Sequence, residues 1–544
     1  MFQKFIYVMC AVIILFYIFV VGNGITWGIP NNNHPFAYHM DEWAQAQSIR
    51  SLFKHGTSNI SGSAHGAIFH FFISGVYLAP FILLRIVNPF IIKSSLFNLE
   101  MQQKLFEILR INTLLFGFGS LIIIYKIAKD HLKINPVLPV FFFAVTPIFL
   151  ALSNYFKYDI ALVFWIIFSF WWMFRYAKNP TLKNFFFAGI IAAFAFATKL
   201  SALPILGVYI LSFFFFTPHW KKKLIWLFSG ILIFISVFLL TGIPDLLLSK
   251  NDYGQWLESN LVSGPKNDTD NFILPFHYWI FLLFSEYPAI FGRFFYIISV
   301  ISITTLSIQS IWNFRQDDKK KELFLLFSFF IFALSLVPLK IGAGGNRVLV
   351  FLPFFALLSG LIIHNLSKNI LRKIFFILFI FGMIFQVCES LIWISTRTGL
   401  DPRETSSVWI QKHIPENTII GLEPIPIFQF APDFILKEYY EKEYNAKFHT
   451  RYNYKLIDYQ TKMLPSFIIV SNPDIHMKYF KKSPKKNLVV RLQKEGFHKV
   501  TTFTPNFKYY KYINNDLNFY LSAIIASPVE IVIYEKKPRT AYFK

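Results

Sequence analysis

Acidic residues at the edges of apolar segments are the first candidates for chemistry in this sequence. Asp41 and Glu42 lie in a polar stretch that directly follows the first apolar segment. Asp159 opens another apolar run, in the stretch Asn154–Asp159 that also contains Lys157. A carboxylate held within hydrogen-bond reach of a proton can remove that proton as a general base. These residue types therefore indicate proton transfer where the apolar segments end.

Each acidic residue also has a plainer interpretation as a helix cap. A helix is predicted from Asp41 to about His55, with Gly56 as its C-terminal stop. Asp is common at helix N-termini, where its carboxylate accepts hydrogen bonds from free N–H groups and favours the helix dipole. Asp159 likewise begins an apolar helix. The catalytic interpretation therefore depends on whether both carboxylates lie on one side of a membrane.

Two cations are candidates for binding an anion. Lys199 lies in a turn between two apolar segments, and Arg347 follows the Gly-rich stretch Gly342–Asn346. An Arg at a helix N-terminus can bind phosphate through its guanidinium and through free N–H groups. The alternative for both side chains is snorkelling to lipid headgroups. Two carboxylates and two cations at one membrane face would suit a lipid-linked phosphate with a base beside it.

The composition is typical of a polytopic membrane protein. Of the 544 residues, 55% are hydrophobic and only 15% are charged, whereas a soluble protein of this length would carry much more charge. The formal net charge is +23, but much of the excess lies in short loops between apolar segments, so nucleic acid is not a predicted partner. Cys10 and Cys388 both lie in apolar segments, so the sequence predicts neither a disulfide framework nor a thiol site.

About eleven apolar segments are candidates for helices that span a bilayer. They are Phe5–Val21, Ile108–Ala128, Pro136–Leu152, Ile160–Phe174, Phe185–Thr198, Ala202–Phe216, Leu224–Thr241, Ile290–Trp312, Leu323–Leu336, Val348–Leu366 and Ile374–Ile394. The first segment lacks a small-residue cleavage site and is predicted to be a retained anchor.

The distribution of Lys and Arg assigns the loops to the two sides of the membrane. If the run Ala67–Ile92 does not span, the basic loops fall on one side, whereas Asp41 and Asp159 fall on the other. Arg85 and Pro80 within this run favour a helix that lies at the membrane interface. The sequence therefore predicts a cytoplasmic N-terminus and places both carboxylates outside.

The composition changes near Arg397, which predicts two domains. Residues 1–397 form the membrane domain, and residues 398–544 form an extracytoplasmic soluble α/β domain. Its first helix is predicted to run to about His413, with Asp401 at the N-cap. Strands are predicted at Thr418–Leu422, Ser466–Val470, Asn487–Leu492 and Glu530–Tyr534. We expect this domain to fold separately and to tune acceptor choice rather than catalysis.

The order of these motifs resembles a known family of membrane glycosyltransferases, the protein O-mannosyltransferase and aminoarabinose transferase type, which has the GT-C fold. After the first helix, the motifs are the outside Asp41-Glu42, His65-Gly66 before an interfacial helix, Leu109-Arg110, Tyr125-Lys126-Ile127-Ala128, the Asp159-headed helix, Thr198-Lys199 and Arg347–Pro353. The resemblance covers roughly the first 360 residues.

The resemblance implies transfer of a sugar from a polyprenyl-phosphate donor to a hydroxyl acceptor outside the cytoplasm, with inversion at the anomeric carbon. It implies that Asp41 is the base, that Glu42 assists or orients it, and that Asp159 is the second acidic residue. Lys199 and Arg347 would bind the leaving phosphate. His65 and Lys157 are further site candidates, and the resemblance assigns no metal ligand, although the need for a divalent metal stays open.

Two departures from the family refine this expectation. Family members often have His-Pro-Pro where this chain has His65-Gly66-Ala67. The eukaryotic protein O-mannosyltransferases also carry an inserted lumenal β-trefoil domain, which this sequence does not show. The sequence therefore favours a prokaryotic enzyme of the cell membrane, with a protein, a glycolipid or a polysaccharide as acceptor. The alternatives are a lipid or polysaccharide transporter, which usually carries repeated halves and charges at mid-depth, and a non-catalytic scaffold.

Overall fold

The computed structural model describes most of the predicted membrane domain and the core of the C-terminal domain. The described residues are 2–31, 37–55, 68–87, 99–243, 279–280, 282–313, 319–336, 345–365, 370–397, 401–422, 453–457, 460–471, 488–505 and 530–536. His65, one of the site candidates, lies outside them.

Apolar helices form nearly all of the described structure before residue 397. Their bounds are α1 Phe2–Asn23, α2 Met40–His55, α3 Phe69–Leu83, α4 Leu99–Lys126, α5 Val137–Ala144, α6 Pro147–Leu152, α7 Tyr158–Lys178, α8 Leu182–Thr198, α9 Pro204–Phe216, α10 Leu224–Thr241, α11 Tyr287–Phe291, α12 Arg293–Asn313, α13 Lys320–Leu336, α14 Leu352–Asn365 and α15 Ile370–Ser395. Within the described ranges, six helices are long and apolar enough to cross a membrane, and five shorter apolar helices accompany them. The count of about eleven spans stays a prediction.

The predicted span Pro136–Leu152 is divided into two short helices, α5 and α6. Thr146 between them has an extended backbone, with φ −69° and ψ 125°, and Pro147 is the first residue of α6. Proline has no N–H to continue the preceding helix, and it disfavours helical geometry in the residue before it. The apolar pattern alone cannot show this break, whereas α10 has the predicted bounds.

The core of the membrane domain is rich in stacked aromatic rings. Phe185 stacks on Tyr209 with ring centroids 4.5 Å apart, and Phe142 stacks on Phe295 at the same distance. Aromatic side chains bury a large apolar area each, so they contribute much of the packing between these helices. The many Phe residues of the sequence thus serve helix association as well as contact with lipid.

A second apolar cluster joins α2, α3 and the first turns of α4. Trp43 of α2 stacks on Phe106 of α4, with centroids 5.9 Å apart, and Phe71 of α3 is buried in the same cluster. Helix α3 has 15 residues and is therefore about 22 Å long, shorter than the apolar core of a bilayer, which is about 30 Å thick. Its length and packing fit the predicted interfacial helix.

The C-terminal domain is a five-stranded mixed sheet with a helix against each face. The elements are α16 Pro402–His413, β1 Ile419–Leu422, β2 Asn453–Leu456, β3 Phe467–Ser471, α17 Leu488–Lys494, β4 Phe497–Phe503 and β5 Ile531–Lys536. The strand order is β2-β1-β3-β5-β4, with β1 parallel to β2 and β3, and β5 antiparallel to its neighbours. Ile469 packs with α16, whereas Ile468 packs with α17, because alternate residues of a strand face opposite sides. The predicted fold class is confirmed.

The predicted strand at Asn487–Leu492 is wrong, because its described residues, 488–492, belong to α17. Leu488 and Leu492 are both buried, and residues four apart lie on one face of a helix. Gly496 follows with φ +81°, a backbone conformation that suits glycine after a helix end. The run was too short for its apolar pattern to distinguish a helix from a strand.

Candidate active site

Four charged side chains meet where α2, α7 and the turn between α8 and α9 converge. Lys157 Nζ lies 2.8 Å from Asp41 Oδ2 and 3.7 Å from Asp159 Oδ2. Lys199 Nζ lies 2.8 Å from Asp159 Oδ1. The structure thus brings together both candidate carboxylates and two of the candidate cations, although Asp41 and Lys199 are far apart in sequence.

The local backbone places both lysines at helix ends. Lys157 precedes α7 with φ −139° and ψ 143°, and Lys199 follows α8 with φ −159° and ψ 131°. Extended residues at these positions interrupt the helices, and their side chains are 2% and 4% exposed. Both ammonium groups are therefore enclosed by protein rather than extended towards lipid headgroups, so the snorkelling interpretation does not describe Lys199.

The carboxylate of Asp159 binds other side chains of the charged cluster. It accepts hydrogen bonds from Lys199 and, over 3.0 Å, from Asn346 Nδ2. No side chain caps α7 from the N-cap position, Lys157, whereas Phe156 N donates to Glu42 and Tyr158 N, the first of the helix, donates to Gln45. The interpretation of Asp159 as a simple helix cap is therefore not favoured.

The four side chains differ sharply in their exposure. The side chain of Asp41 is 54% exposed, whereas that of Asp159 is 1% exposed. A group that must reach a substrate has to be accessible, and Asp41 meets this requirement. Asp159 is enclosed by Lys157, Lys199 and Asn346, so it can orient these groups but cannot itself meet a substrate in this arrangement.

Burial and neighbouring charges shift the pKa values of the two lysines in opposite directions. Burial alone would lower the pKa of Lys157, but the carboxylates of Asp41 and Asp159 raise it above its ordinary value. Burial lowers the pKa of Lys199, and the nearby charges of Lys157 and Arg347 lower it further, against the opposing effect of Asp159. Lys157 therefore stays charged and favours the ionised form of Asp41.

Glu42 is fully buried, and its carboxylate binds Arg110. Arg110 donates to both of its oxygens, through Nε and Nη2, each over 2.7 Å. Arg110 Nη1 donates to the carbonyl oxygens of Ile25 and Trp27, each over 2.6 Å. This buried pair joins the turn after α1, the start of α2 and the middle of α4, so it fixes the helix turn that carries Asp41.

Arg347 lies in the 3₁₀ segment Gly345–Phe351, which directly precedes α14. The sequence instead predicts it at the N-terminus of an α-helix. Its side chain is half-buried, and its charge acts on both Lys199 and Tyr158. Lys199 Nζ in turn lies 4.7 Å from the centre of the Tyr158 ring. Arg347 therefore borders the charged cluster from the side of α14.

Three polar residues of the site were not singled out by sequence reasoning. Asn346 binds Asp159, His39 Nε2 lies 3.3 Å from Lys157 Nζ, and Gln45 caps α7. His39 and Gln45 flank Asp41 in the polar stretch, which was the only available signal. Among the described residues, no three His, Cys, Asp or Glu side chains are grouped so that they could hold a metal ion.

A comparison with protein families matches one segment of the chain, less than half of its length. Residues 87–241 match the family model described as dolichyl-phosphate-mannose-protein mannosyltransferase. This segment includes four site residues, Arg110, Lys157, Asp159 and Lys199. The comparison with curated proteins gives no match.

Solved structures of membrane glycosyltransferases are similar in fold. The oligosaccharyltransferase of Archaeoglobus fulgidus in its apo form has a TM-score of 0.50 and 12% identity, over 92% of this chain and 73% of that one. ArnT from Cupriavidus metallidurans, bound to undecaprenyl phosphate, has a TM-score of 0.48 and 11% identity, over 97% of this chain and 98% of that one. The oligosaccharyltransferase structure confirms the predicted resemblance to the GT-C fold.

Proposed function

We propose that this protein is an inverting glycosyltransferase that moves a sugar from a polyprenyl-phosphate donor to a hydroxyl acceptor at the outer face of the membrane. The observation that carries the proposal is an exposed carboxylate, Asp41, held by a buried ammonium, Lys157, beside further cations. The family match supports the donor class, because its description names a dolichyl-phosphate sugar.

In the proposed reaction Asp41 is the general base. The acceptor hydroxyl gives its proton to Asp41 while its oxygen attacks the anomeric carbon of the donor. The bond from that carbon to the phosphate oxygen breaks, and polyprenyl phosphate leaves with the bonding electrons. Attack from the face opposite the leaving group inverts the anomeric carbon. A positioned base of this kind contributes about 10²–10⁴-fold to the rate.

The cations are proposed to stabilise the leaving phosphate. An ammonium group has three N–H donors, and one donor of Lys199 is directed to Asp159. Arg347 can add a bidentate contact. Fixed cations that face developing negative charge lower the barrier, since they need no reorganisation during the reaction. His65 stays a further candidate for this site.

Orienting roles are proposed for the remaining charged residues. Glu42 and Arg110 fix the first turn of α2 through a buried two-point contact. Asp159 fixes both lysines. We place the N-terminus in the cytoplasm and residues 398–544 outside a prokaryotic cell membrane, with a protein, a glycolipid or a polysaccharide as acceptor. This orientation is supported by the basic loops.

The transporter alternative fits the charge pattern less well. Transporters usually keep charged sites near the bilayer midplane, at the interface of repeated halves. Here Asp41, Lys157 and Lys199 all lie at helix ends. A non-catalytic scaffold would tolerate the loss of Asp41, whereas the proposed enzyme would not, and the experiment below distinguishes the two.

The proposal is tested by transfer from defined polyprenyl-phosphate sugars in proteoliposomes. Asp41→Asn keeps the shape of the side chain but cannot accept the proton, so transfer should fall by about 10²-fold or more while donor binding changes little. Asp130→Asn is the matched control, because Asp130 is exposed in the turn after α4. Transfer near the wild-type rate by folded Asp41→Asn protein would remove the catalytic role of Asp41.

A further inference from the structure

The first turn of α16 contacts the loop that leads to Asp41. The guanidinium carbon of Arg403 lies 3.5 Å from the centre of the Tyr38 ring, and Arg403 is fully buried. Glu404 Oε1 accepts hydrogen bonds from Asn31 Nδ2 over 2.9 Å and from Tyr38 Oη over 3.3 Å. We call these four residues, Asn31, Tyr38, Arg403 and Glu404, the clasp.

Arg403 is held rigidly on its own side of the clasp. Its Nε and Nη2 donate to the two carboxylate oxygens of Asp401 over 2.8 and 2.7 Å, and its backbone N donates to Asp401 Oδ1. A guanidinium fixed in this way presents a flat face, which stacks favourably on an aromatic ring. The predicted N-cap Asp401 is confirmed, and it also aims the Arg403 side chain.

Tyr38 is held equally closely on the side of the membrane domain. Its backbone N donates to the carbonyl oxygen of Gly28 over 3.0 Å. Gly28 has φ +65°, and a Cβ at this position would collide with the Tyr38 ring. Both the backbone conformation and the close approach require glycine. Tyr38 precedes Asp41 by three residues, so a displaced Tyr38 would shift the first turn of α2.

A second contact from the same segment reaches the other half of the site. Arg397 Nη2 donates to the carbonyl oxygen of Ala151 over 2.7 Å, and Arg397 Nη1 donates to Asn154 Oδ1. The Arg397 guanidinium also lies 5.0 Å from the centre of the Tyr155 ring. Asn154 and Tyr155 directly precede Lys157. Arg397 and the first turn of α16 therefore contact both loops that supply the Asp41–Lys157 pair.

We propose that the clasp positions the base, so that Arg403 is a positioning residue that holds Asp41 against Lys157. This inference rests on the proposed function and adds to it. Catalysis would then depend on the first turn of α16, at the start of the C-terminal domain. This dependence adds to the effect on acceptor choice that is expected from the sequence. The clasp acts through the loop at Tyr38 and does not touch the donor site at Lys199.

The kinetic test compares Arg403→Gln with wild-type protein in transfer from a polyprenyl-phosphate sugar. We expect kcat to fall about tenfold with donor KM unchanged, since each tenfold corresponds to about 1.4 kcal/mol of lost transition-state stabilisation. The acidic limb of the pH profile should move to higher pH, because Asp41 is held less well against Lys157. Arg491→Gln is the matched control, since Arg491 pairs with Glu495 elsewhere in the same domain.

Two further variants separate the clasp from a general loss of folding. Tyr38→Phe keeps the ring under Arg403 and should lower kcat about twofold or less, since the hydrogen bond to Glu404 that it removes is long at 3.3 Å. Tyr38→Ala should lower kcat as much as Arg403→Gln does. The double variant should have a kcat no lower than that of either single variant, because both substitutions remove the same contact. Additive losses in the double variant, or a raised donor KM, would overturn the proposal.

Hydrogen exchange tests the clasp without relying on activity. In Arg403→Gln, peptides from residues 24–31 and 37–46 should exchange faster, whereas peptides from α8 should not change. Unchanged exchange in the first two peptides would overturn the clasp, whatever the rates show. If the wild-type protein transfers no sugar from any polyprenyl-phosphate donor, the proposed function fails, and the exchange result still decides whether Arg403 holds the loop.

Discussion

Replacing Lys157 with methionine tests how the exposed carboxylate of the site is kept ionised. Met retains a long, largely apolar side chain but removes the ammonium that lies 2.8 Å from Asp41 Oδ2. Without this cation Asp41 binds a proton more readily, so the base is lost at a higher pH than in wild-type protein. We expect the acidic limb of the pH profile of kcat/KM to move upwards in pH.

The size of this shift follows from the distance and the exposure of the pair. Two unit charges 2.8 Å apart interact by about 1.5 kcal/mol at the dielectric constant of water. The interaction energy for water is used rather than that for a protein interior, because the side chain of Asp41 is 54% exposed. Since one pH unit corresponds to about 1.4 kcal/mol, the limb should move by about one pH unit.

The assay is the initial rate of sugar transfer across a range of pH, with donor binding measured separately. Lys178→Met is the control, because Lys178 is exposed at the opposite end of the same helix, α7. Its profile should match that of wild-type protein. An unmoved limb together with weakened donor binding in Lys157→Met would refute the reasoning and assign Lys157 to the donor phosphate.

Three further outcomes are expected. Arg110→Ala should lower the free energy of unfolding by about 3–5 kcal/mol, because Glu42 is left buried without its partner. The control is Lys104→Ala, which breaks an exposed ion pair with Glu100 and should cost at most about 1 kcal/mol in the same denaturation experiment. Arg347→Ala should weaken donor binding as well as transfer, since its proposed partner is present in the ground state, and unchanged binding would contradict that role. In protein without native cysteines, a cysteine at Met463 should label from outside the cell and one at Lys222 should not; the reverse result would invert the predicted topology.

The sequence predicted the residues of the cluster better than their connections. The sidedness of the loops placed Asp41 and Asp159 together, because topology depends mainly on hydrophobicity and on basic residues, and both are readable from the sequence. The pairing of Glu42 with Arg110 could not be derived in this way, since the two residues are 68 positions apart. The bridging position of Lys157 depends likewise on how α2 packs against the loop before α7.

The C-terminal sheet shows a different limit of sequence reasoning. The inner strands β1, β3 and β5 were predicted within one or two residues, because each is a buried apolar run. The strands β2 and β4 were missed, and they are the two edges of the sheet. Edge strands commonly carry polar and charged residues, so their sequences resemble loops.

The buried pair of Glu42 and Arg110 also constrains the order in which the chain can assemble as it enters the membrane. Glu42 leaves the ribosome 68 residues before its partner, and a buried carboxylate without a partner is strongly unfavourable. The first turn of α2 therefore cannot take its final position until α4 has been inserted. By then Arg110 has also bound the carbonyl groups of Ile25 and Trp27, which follow α1. Helices α1, α2 and α4 should consequently become protease-resistant together, in one cooperative step, when nascent chains are lengthened past Arg110.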